Sequence, residues 1–159
     1  MDFKENKKNY ENYIKNNRFT YNRDDNNFGY IPLPSAKLKN INDYYEEGFK
    51  FLDLGCGPGN ILNFANNCGY DVTGVEFDPT FKDSLKDFNH LIDDINNLPE
   101  EFFSDFDFIY SYVPLKNGFK DFLNKVINNM KVNSYLFIPS YNIKNDNIIH
   151  IKDKLYKKI

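Results

Sequence analysis

The sequence predicts an α/β fold: a doubly wound, mostly parallel sheet with helices on both faces. Three observations predict it. Short apolar runs alternate with helical segments along most of the chain, the pattern of βαβ units. Some runs, such as Phe106, Phe108, Ile109 and Leu136-Phe137-Ile138, are nearly continuous in apolar character, which suits central parallel strands buried on both faces. The stretch Phe51-Leu52-Asp53-Leu54-Gly55-Cys56-Gly57-Pro58-Gly59-Asn60 begins as an apolar strand, turns through three glycines and opens into a helix. Such a turn lets a ligand approach the backbone closely, and the helix start behind it presents unpaired N–H groups.

Taken in order, residues 1–30 are polar, with Tyr10, Tyr13 and Ile14 at helical spacing followed by Asn- and Asp-rich chain. They read as an N-terminal arm or lid, either a short helix over the cleft or an irregular segment, ahead of one domain over 31–159. Pro32 and Pro34 end the arm, and Ser35 is placed to cap a helix from Ala36 to about Glu47, closed by Gly48. Strands are predicted near 50–54, 71–76, 89–92, 107–112 and 134–139, and helices near 59–68, 79–86 and 118–131. Asn67, Gly69 and Asn117-Gly118 punctuate the connections. In the last stretch, Tyr141 to Ile159, Ile148-Ile149-His150-Ile151 and Leu155-Tyr156 predict an abbreviated hairpin with no room for another long helix. The exposed edge of such a sheet calls for cover by the lysine-rich tail, another copy or a partner chain.

Composition narrows the function classes. The 159 residues suffice for one core, and no apolar run reaches membrane-spanning length. Cys56 and Cys68 have neither disulfide-framework nor zinc-ligand spacing, and His90 and His150 stand alone, so the expectation is a reduced, metal-free protein of the cytoplasm. Net charge is −3, with acids dominating from Glu76 to Asp107. That flank repels polyanions, and Arg18 and Arg23 are the only arginines, which disfavours a nucleic-acid partner. The same acids read equally well as a solvated face.

The glycine loop discriminates among cofactors. A dinucleotide fingerprint would place glycines at 55, 57 and 60, but Asn60 occupies the last position and the third glycine is Gly59. A phosphate loop would need Gly-Lys-Ser/Thr, which is absent. Asp53 lies two residues before the first glycine, and Glu76 ends the next apolar run, about where a second-strand carboxylate reaches a ribose diol. The pattern Asp53-Leu54-Gly55-Cys56-Gly57-Pro58-Gly59 with Glu76 resembles motif I and the acidic position of class I, Rossmann-like S-adenosylmethionine (SAM) dependent methyltransferases. The resemblance covers roughly Phe49 to Ser140 and is most specific from Asp53 to Asn60. The chain looks like a small member shortened after its fifth strand.

The resemblance implies S-adenosyl-L-methionine as cofactor, S-adenosyl-L-homocysteine as product and a set of roles. Asp53 would hold the methionine part, its amino group or an intervening water. Gly55, Gly57 and Gly59 would pass beside the ribose and carboxylate, with Cys56 and Asn60 completing the loop. Cys56 reads as a small buried residue rather than a nucleophile. Glu76 would take the ribose hydroxyls and Phe77 the adenine face. Asp94 and Ile95 match the place where such enzymes often bind the adenine amino group, although Asp93-Asp94-Ile95-Asn96 is also a good acidic turn. Tyr30-Ile31-Pro32-Leu33-Pro34-Ser35 weakly resembles a segment that lies over the methionine end in some protein-lysine methyltransferases.

An acceptor would be sensed at the end of the fourth strand, Tyr110-Ser111-Tyr112-Val113-Pro114. Methyltransferases acting on exocyclic or amide nitrogen often carry Asn/Asp-Pro-Pro-Tyr there. Ser111-Tyr112-Val113-Pro114 departs from that pattern, which argues against adenine-N6 and glutamine acceptors. Ser111 and Tyr112 are the candidate catalytic residues, and Ser111 also borders the cofactor. Tyr112 could face the sulfonium or a cationic amine, position a hydroxyl, or simply pack. Two function readings follow: in-line methyl transfer to a protein side chain or small molecule, or a SAM-binding sensor or subunit completed by another chain. A third use of SAM, other than methyl transfer, stays open because a loop specifies the ligand and not the reaction.

Overall fold

The computed structural model describes residues 1–16, 30–112, 115 and 117–159. Seven strands form one sheet: β1 (Lys50–Leu54), β2 (Asp71–Glu76), β3 (Asn89–Ile92), β4 (Phe108–Ser111), β5 (Tyr135–Phe137), β6 (Ile148–Lys152) and β7 (Leu155–Lys158). Their order is β3-β2-β1-β4-β5-β7-β6. The first five run parallel, and β7 enters antiparallel between β5 and β6. Strand order reverses between β1 and β4, which sets the ligand-binding crevice of an open α/β sheet beyond the carboxyl ends of those two strands.

The sheet separates two cores because side chains alternate along each strand. Phe51, Phe108, Tyr110 and Phe137 face one side, where they pack with Phe64 and Tyr70. Leu52, Leu54, Ile109 and Leu136 face the other, against Val126 and Ile127 of helix α4 (Phe119–Asn129). Phe51 and Phe108 stack at 5.3 Å between centroids and 17° between planes, so adjacent strands are tied by rings as well as by the ladder.

Helix α1 (Phe3–Asn16) starts at Asp2, whose Oδ1 accepts from the amides of Lys4 (2.8 Å) and Glu5 (3.1 Å). It belongs to the packed body. Asn6 is 1 % exposed and donates through Nδ2 to the carbonyl of Phe64 (2.9 Å), and Tyr10 meets the Phe64 ring edge-on at 6.2 Å. Both contacts join α1 to helix α3 (Asn60–Cys68). Of the two alternatives for this segment, the helix is the one seen over Phe3–Asn16. The remainder of the expected arm, including Arg18 and Arg23, lies largely outside the described residues.

Two predicted helices differ. In place of one helix over 36–47, the chain makes a single 3-10 turn at Ser35–Lys37 and a four-residue α2 (Lys39–Asn42). Pro34 takes the cap position without a side-chain bond, and the Tyr70 hydroxyl donates to the carbonyl of Ile41 (2.8 Å), tying the short helix to the lead-in of β2. Tyr70→Phe is therefore expected to cost about 1 kcal/mol, read as a lower urea midpoint with unchanged slope. Over 79–86 only Pro79–Phe81 is helical, again 3-10, capped by Asp78 through the Thr80 amide (2.9 Å). Leu85 is the single residue of this segment that is fully buried, so one anchor holds a run of turns with no apolar stripe to extend.

The carboxyl end closes more fully than a shortened chain suggests. β7 pairs along the whole of β5 and carries β6 on its other edge, and the chain from β5 to β6 is irregular over 141–147, with no helix there. The Tyr156 hydroxyl accepts from the Ile143 amide (3.0 Å) and pins that chain down. No helix among the described residues is long and apolar enough to cross a membrane.

Candidate functional site

The glycine loop is fastened at both ends. The amides of Gly55 and Cys56 both donate to the Val75 carbonyl, at 2.8 and 3.0 Å, which folds the end of β1 over β2. At the far end Gly59 adopts φ 88° as the cap of α3, and its carbonyl accepts the Asn63 amide (2.9 Å). Gly57 has φ 54° and is also held by its amide, which donates to Glu76 Oε2 at 2.7 Å.

The loop rests on a glycine the sequence reading used only as part of an apolar run. A Cβ on Gly74 would lie 2.6 Å from Leu62 Cδ1 and 2.7 Å from Cys56 Sγ. A bare position in mid-strand lets α3 and the loop close onto β2. Glycine inside a strand pattern is itself the signal for such an approach, and Gly74 shows it in Val72-Thr73-Gly74-Val75. The Cys56 side chain is buried beneath the loop, and burial pushes its thiol well up, followed by the charges of Asp53 and Glu76. It carries no thiolate for nucleophilic work.

Asp53 sits at the centre. It alternates with Leu52 and Leu54 onto the face shared by Phe51 and Tyr110, and is paired in register with Tyr110. The residue is 2 % exposed, and its Oδ1 has no hydrogen-bond partner among the described residues. Burial first, and the charge of Glu76 second, hold this carboxyl well above its usual range. A buried acceptor without a donor costs free energy unless something supplies the donor.

Glu76 is better provided for. Its Oε2 takes the Gly57 amide and its Oε1 the Asp78 amide (3.0 Å), and these bonds partly offset the upward push of burial. Each oxygen keeps a lone-pair site, so the carboxylate can still accept from a diol. Phe77 beside it is 58 % exposed, an apolar ring left at the rim.

Asp94 caps the 3-10 turn Ile95–Asn97, its Oδ1 accepting from the amide (2.9 Å) and side chain (3.0 Å) of Asn96. The acidic-turn alternative thus describes its present contacts. Ile95 is buried in the α4-side core, so its side chain serves packing. Ser111 is also drawn away from the cleft. It is fully buried and donates to the Leu54 carbonyl (2.8 Å), a bond that pins the end of β4 to the end of β1. Tyr112 packs against the same core as Asp53's neighbours Phe51 and Tyr110. Val113 and Pro114 of the acceptor-side segment lie outside the described residues.

Tyr30 and Leu33, from the segment that resembles a cover over the methionine end, come to the loop, and the structure adds Tyr10 to them. The Tyr10 hydroxyl donates to the Leu33 carbonyl (2.8 Å), and Leu33 is 2 % exposed, which fixes the segment after residue 30 to α1. Tyr30 then lies on the loop: a Cβ on Gly57 would come 2.2 Å from Tyr30 Cδ2, and the Tyr30 hydroxyl donates to Asn60 Oδ1. The other atom of that amide, Asn60 Nδ2, is buried and has no partner among the described residues. A cavity of about 260 Å³ adjoins the loop on the α1 side, lined among others by Tyr10, Pro58, Asn60, Phe64 and Phe88.

Asp53, the glycine loop, Asn60 and Glu76 are therefore brought together, with Phe77 at the rim, whereas Ser111 and Ile95 turn into the fold. An unsatisfied acceptor, an unsatisfied donor and a carboxylate with spare lone pairs suit a ligand that has an ammonium, a carboxylate and a vicinal diol. A nucleoside bearing an amino-acid tail has all three.

Comparison with known proteins gives the family and the fold. A family model described as "Methyltransferase domain" matches residues 52–132, just over half of the chain. No curated protein matches the sequence. Among solved structures, an S-adenosylmethionine dependent methyltransferase from Mesorhizobium loti superposes with a TM-score of 0.53 at 17 % identity, over 65 % of this chain and 52 % of that one. An RNA methyltransferase from Salinibacter ruber in complex with S-adenosyl-L-homocysteine gives 0.58 at 16 % identity, over 80 % and 92 %. The plantazolicin methyltransferase BpumL in complex with SAH gives 0.57 at 16 % identity, over 85 % and 51 %. At these identities the likeness is one of fold. The chain spans about half the length of two of these structures, the Mesorhizobium loti enzyme and BpumL.

Proposed function

This chain belongs to the methyltransferase-domain family, and from that premise we propose that it is a SAM-dependent methyltransferase acting on a protein side chain or a small molecule. The observation that carries the reading is the buried Oδ1 of Asp53, without a partner among the described residues, beside a glycine loop whose Gly57 amide is held by Glu76. When bound, SAM supplies the methyl group as an electrophile for in-line displacement. The protein's part is to bind, orient and exclude water.

Asp53 would accept from the ammonium of the methionine part, whose positive charge favours the ionised carboxylate that burial disfavours. The loop backbone at Gly55, Gly57 and Gly59 passes along the ribose and carboxylate, with Asn60 at its end. Glu76 would take the ribose hydroxyls and Phe77 the adenine face, while Asp94 and the backbone of Ile95, whose side chain is packed in the core, would border the base. Tyr112, with Ser111 behind it, is assigned to the acceptor side. Ser111 acts there through the strand end it pins, since its hydroxyl is committed to Leu54. The acidic flank from Glu76 to Asp107 favours acceptors other than nucleic acid.

Calorimetric titration with SAM and S-adenosyl-L-homocysteine, with NAD as control, tests the cofactor. Micromolar binding of both, roughly −8 kcal/mol, and none of NAD is expected; binding of NAD alone would overturn the reading. Glu76→Ala is expected to lose about ten- to a hundredfold in affinity for either ligand, the worth of charge-assisted hydrogen bonds. Part of that loss comes from the Gly57 amide, which the variant leaves without its acceptor. A partner-dependent, SAM-binding module is the second reading, favoured by the burial of the Ser111 hydroxyl. Turnover that appears only with another chain would support it.

A further inference from the structure

The groups that would meet the amino-acid tail of the ligand are covered by the chain itself. Asp53 Oδ1 and Asn60 Nδ2 are both buried and have no hydrogen-bond partner among the described residues. Tyr30 is the residue that lies on the loop beside them, bonded to Asn60, against Gly57 and close enough to Asp53 to feel its charge. Its ring lies against Gly57 so closely that not even a methyl group would fit between them, and its hydroxyl uses the acceptor atom of the same Asn60 amide whose donor stays unused. The ring also meets Phe81 edge-on at 6.4 Å. Gly57 has the left-handed φ and missing side chain that close approach to its backbone requires, and the Tyr30 ring takes that approach here.

We propose that Tyr30 occupies the amino-acid subsite in the ligand-free chain, so that the methionine end of SAM and the Tyr30 ring compete for one place. This rests on the SAM reading given above. The segment behind Tyr30 is anchored through Leu33 and Tyr10, so the ring is held near the subsite whether or not it fills it. Ligand entry moves the ring off Gly57 and exposes Asp53 Oδ1 to the ammonium and Asn60 Nδ2 to the carboxylate. The apparent affinity of a tailed ligand is then lowered by the fraction of molecules in which Tyr30 is in place. A ligand without the tail, such as 5′-methylthioadenosine, reaches the Glu76 and Phe77 end without that competition. Tyr30 is thus a specificity-determining residue that discriminates between nucleosides with and without an amino-acid tail.

The experiment is titration of the full chain and of Tyr30→Ala with S-adenosyl-L-homocysteine and with 5′-methylthioadenosine. Tyr30→Ala is expected to bind S-adenosyl-L-homocysteine about tenfold more tightly, as for a chain nine-tenths occupied by its own ring, with 5′-methylthioadenosine changed less than about twofold. Weaker or unchanged binding of S-adenosyl-L-homocysteine, with 5′-methylthioadenosine still bound, overturns the proposal and leaves the SAM reading intact. Failure of both ligands on both proteins overturns the SAM reading and the proposal with it. Tyr30→Phe keeps the ring and removes only the bond to Asn60. It provides the second variant should Tyr30→Ala fold poorly: a smaller tightening of the same sign is expected, and a loss of affinity confined to the tailed ligand would show that Tyr30 assists binding instead.

Discussion

Asp53→Asn is expected to weaken SAM binding by about ten- to a hundredfold and at the same time to raise the melting temperature at neutral pH. Both effects come from the same buried carboxyl. An amide of equal size fills the space but offers no charge to an ammonium. The folded chain holds the Asp53 proton more tightly than the unfolded chain does, because burial and then Glu76 disfavour its ionised form. The favourable contribution of this group is therefore complete below the unfolded value near 3.8 and is lost as pH rises through the raised folded value. Asn has no such slope. Thermal melts across pH should show the variant gaining on the natural chain from acid to neutral pH, with the two converging near the unfolded value. Ligand affinity of the natural chain should rise over the same window as Asp53 ionises, while that of the variant stays flat. A variant less stable than the natural chain at neutral pH would mean that Asp53 is stabilised by a partner, contrary to its orphaned oxygen.

Gly74→Val is expected to destabilise the fold by about 3 kcal/mol, although valine is the better strand former. The new Cβ alone would stand 2.6 Å from Leu62 and 2.7 Å from the Cys56 sulfur, and neither neighbour has solvent to retreat into, at 0 % and 1 % exposed. Either α3 lifts from the sheet or the loop lifts from β2. The second route breaks the bonds that Gly55 and Cys56 make to Val75, so residual folded protein should also bind SAM poorly. Urea unfolding and ligand titration of one preparation separate the two effects. An unchanged urea midpoint would show that the loop is not wedged against β2.

Much of this fold was legible before any contact was known. The strands predicted at 50–54, 71–76 and 89–92 have the observed limits, and those near 107–112 and 134–139 are trimmed to Phe108–Ser111 and Tyr135–Phe137. Continuous apolar runs bounded by Gly, Asn and Asp leave few other choices for a chain that must bury them. The helices at 36–47 and 79–86 were not legible because their fate was settled from a distance. One starts at Pro34 with no side-chain cap and is tied at Ile41 by the buried Tyr70 hydroxyl, and the other has a single apolar anchor and no face to lay on the sheet. In the site, Asp53, the glycines and Glu76 declared themselves by spacing, since a loop and a carboxylate at fixed offsets are local features. Ser111 could not, because its orientation depends on which strand end its hydroxyl reaches.

The sequence by itself determined the βαβ order, the strand-to-helix glycine loop and the two carboxylates that flank it, since each of these is written in residues close together in the chain. Three facts came from packing alone: Asp53 Oδ1 has no donor among the described residues, Gly74 must be bare for the loop to sit, and Tyr30 lies on Gly57. Those facts join residues separated by up to tens of positions, and burial gives them their energy: a carboxyl, a methyl group or a phenol matters at such a place only because water and free space have been excluded around it.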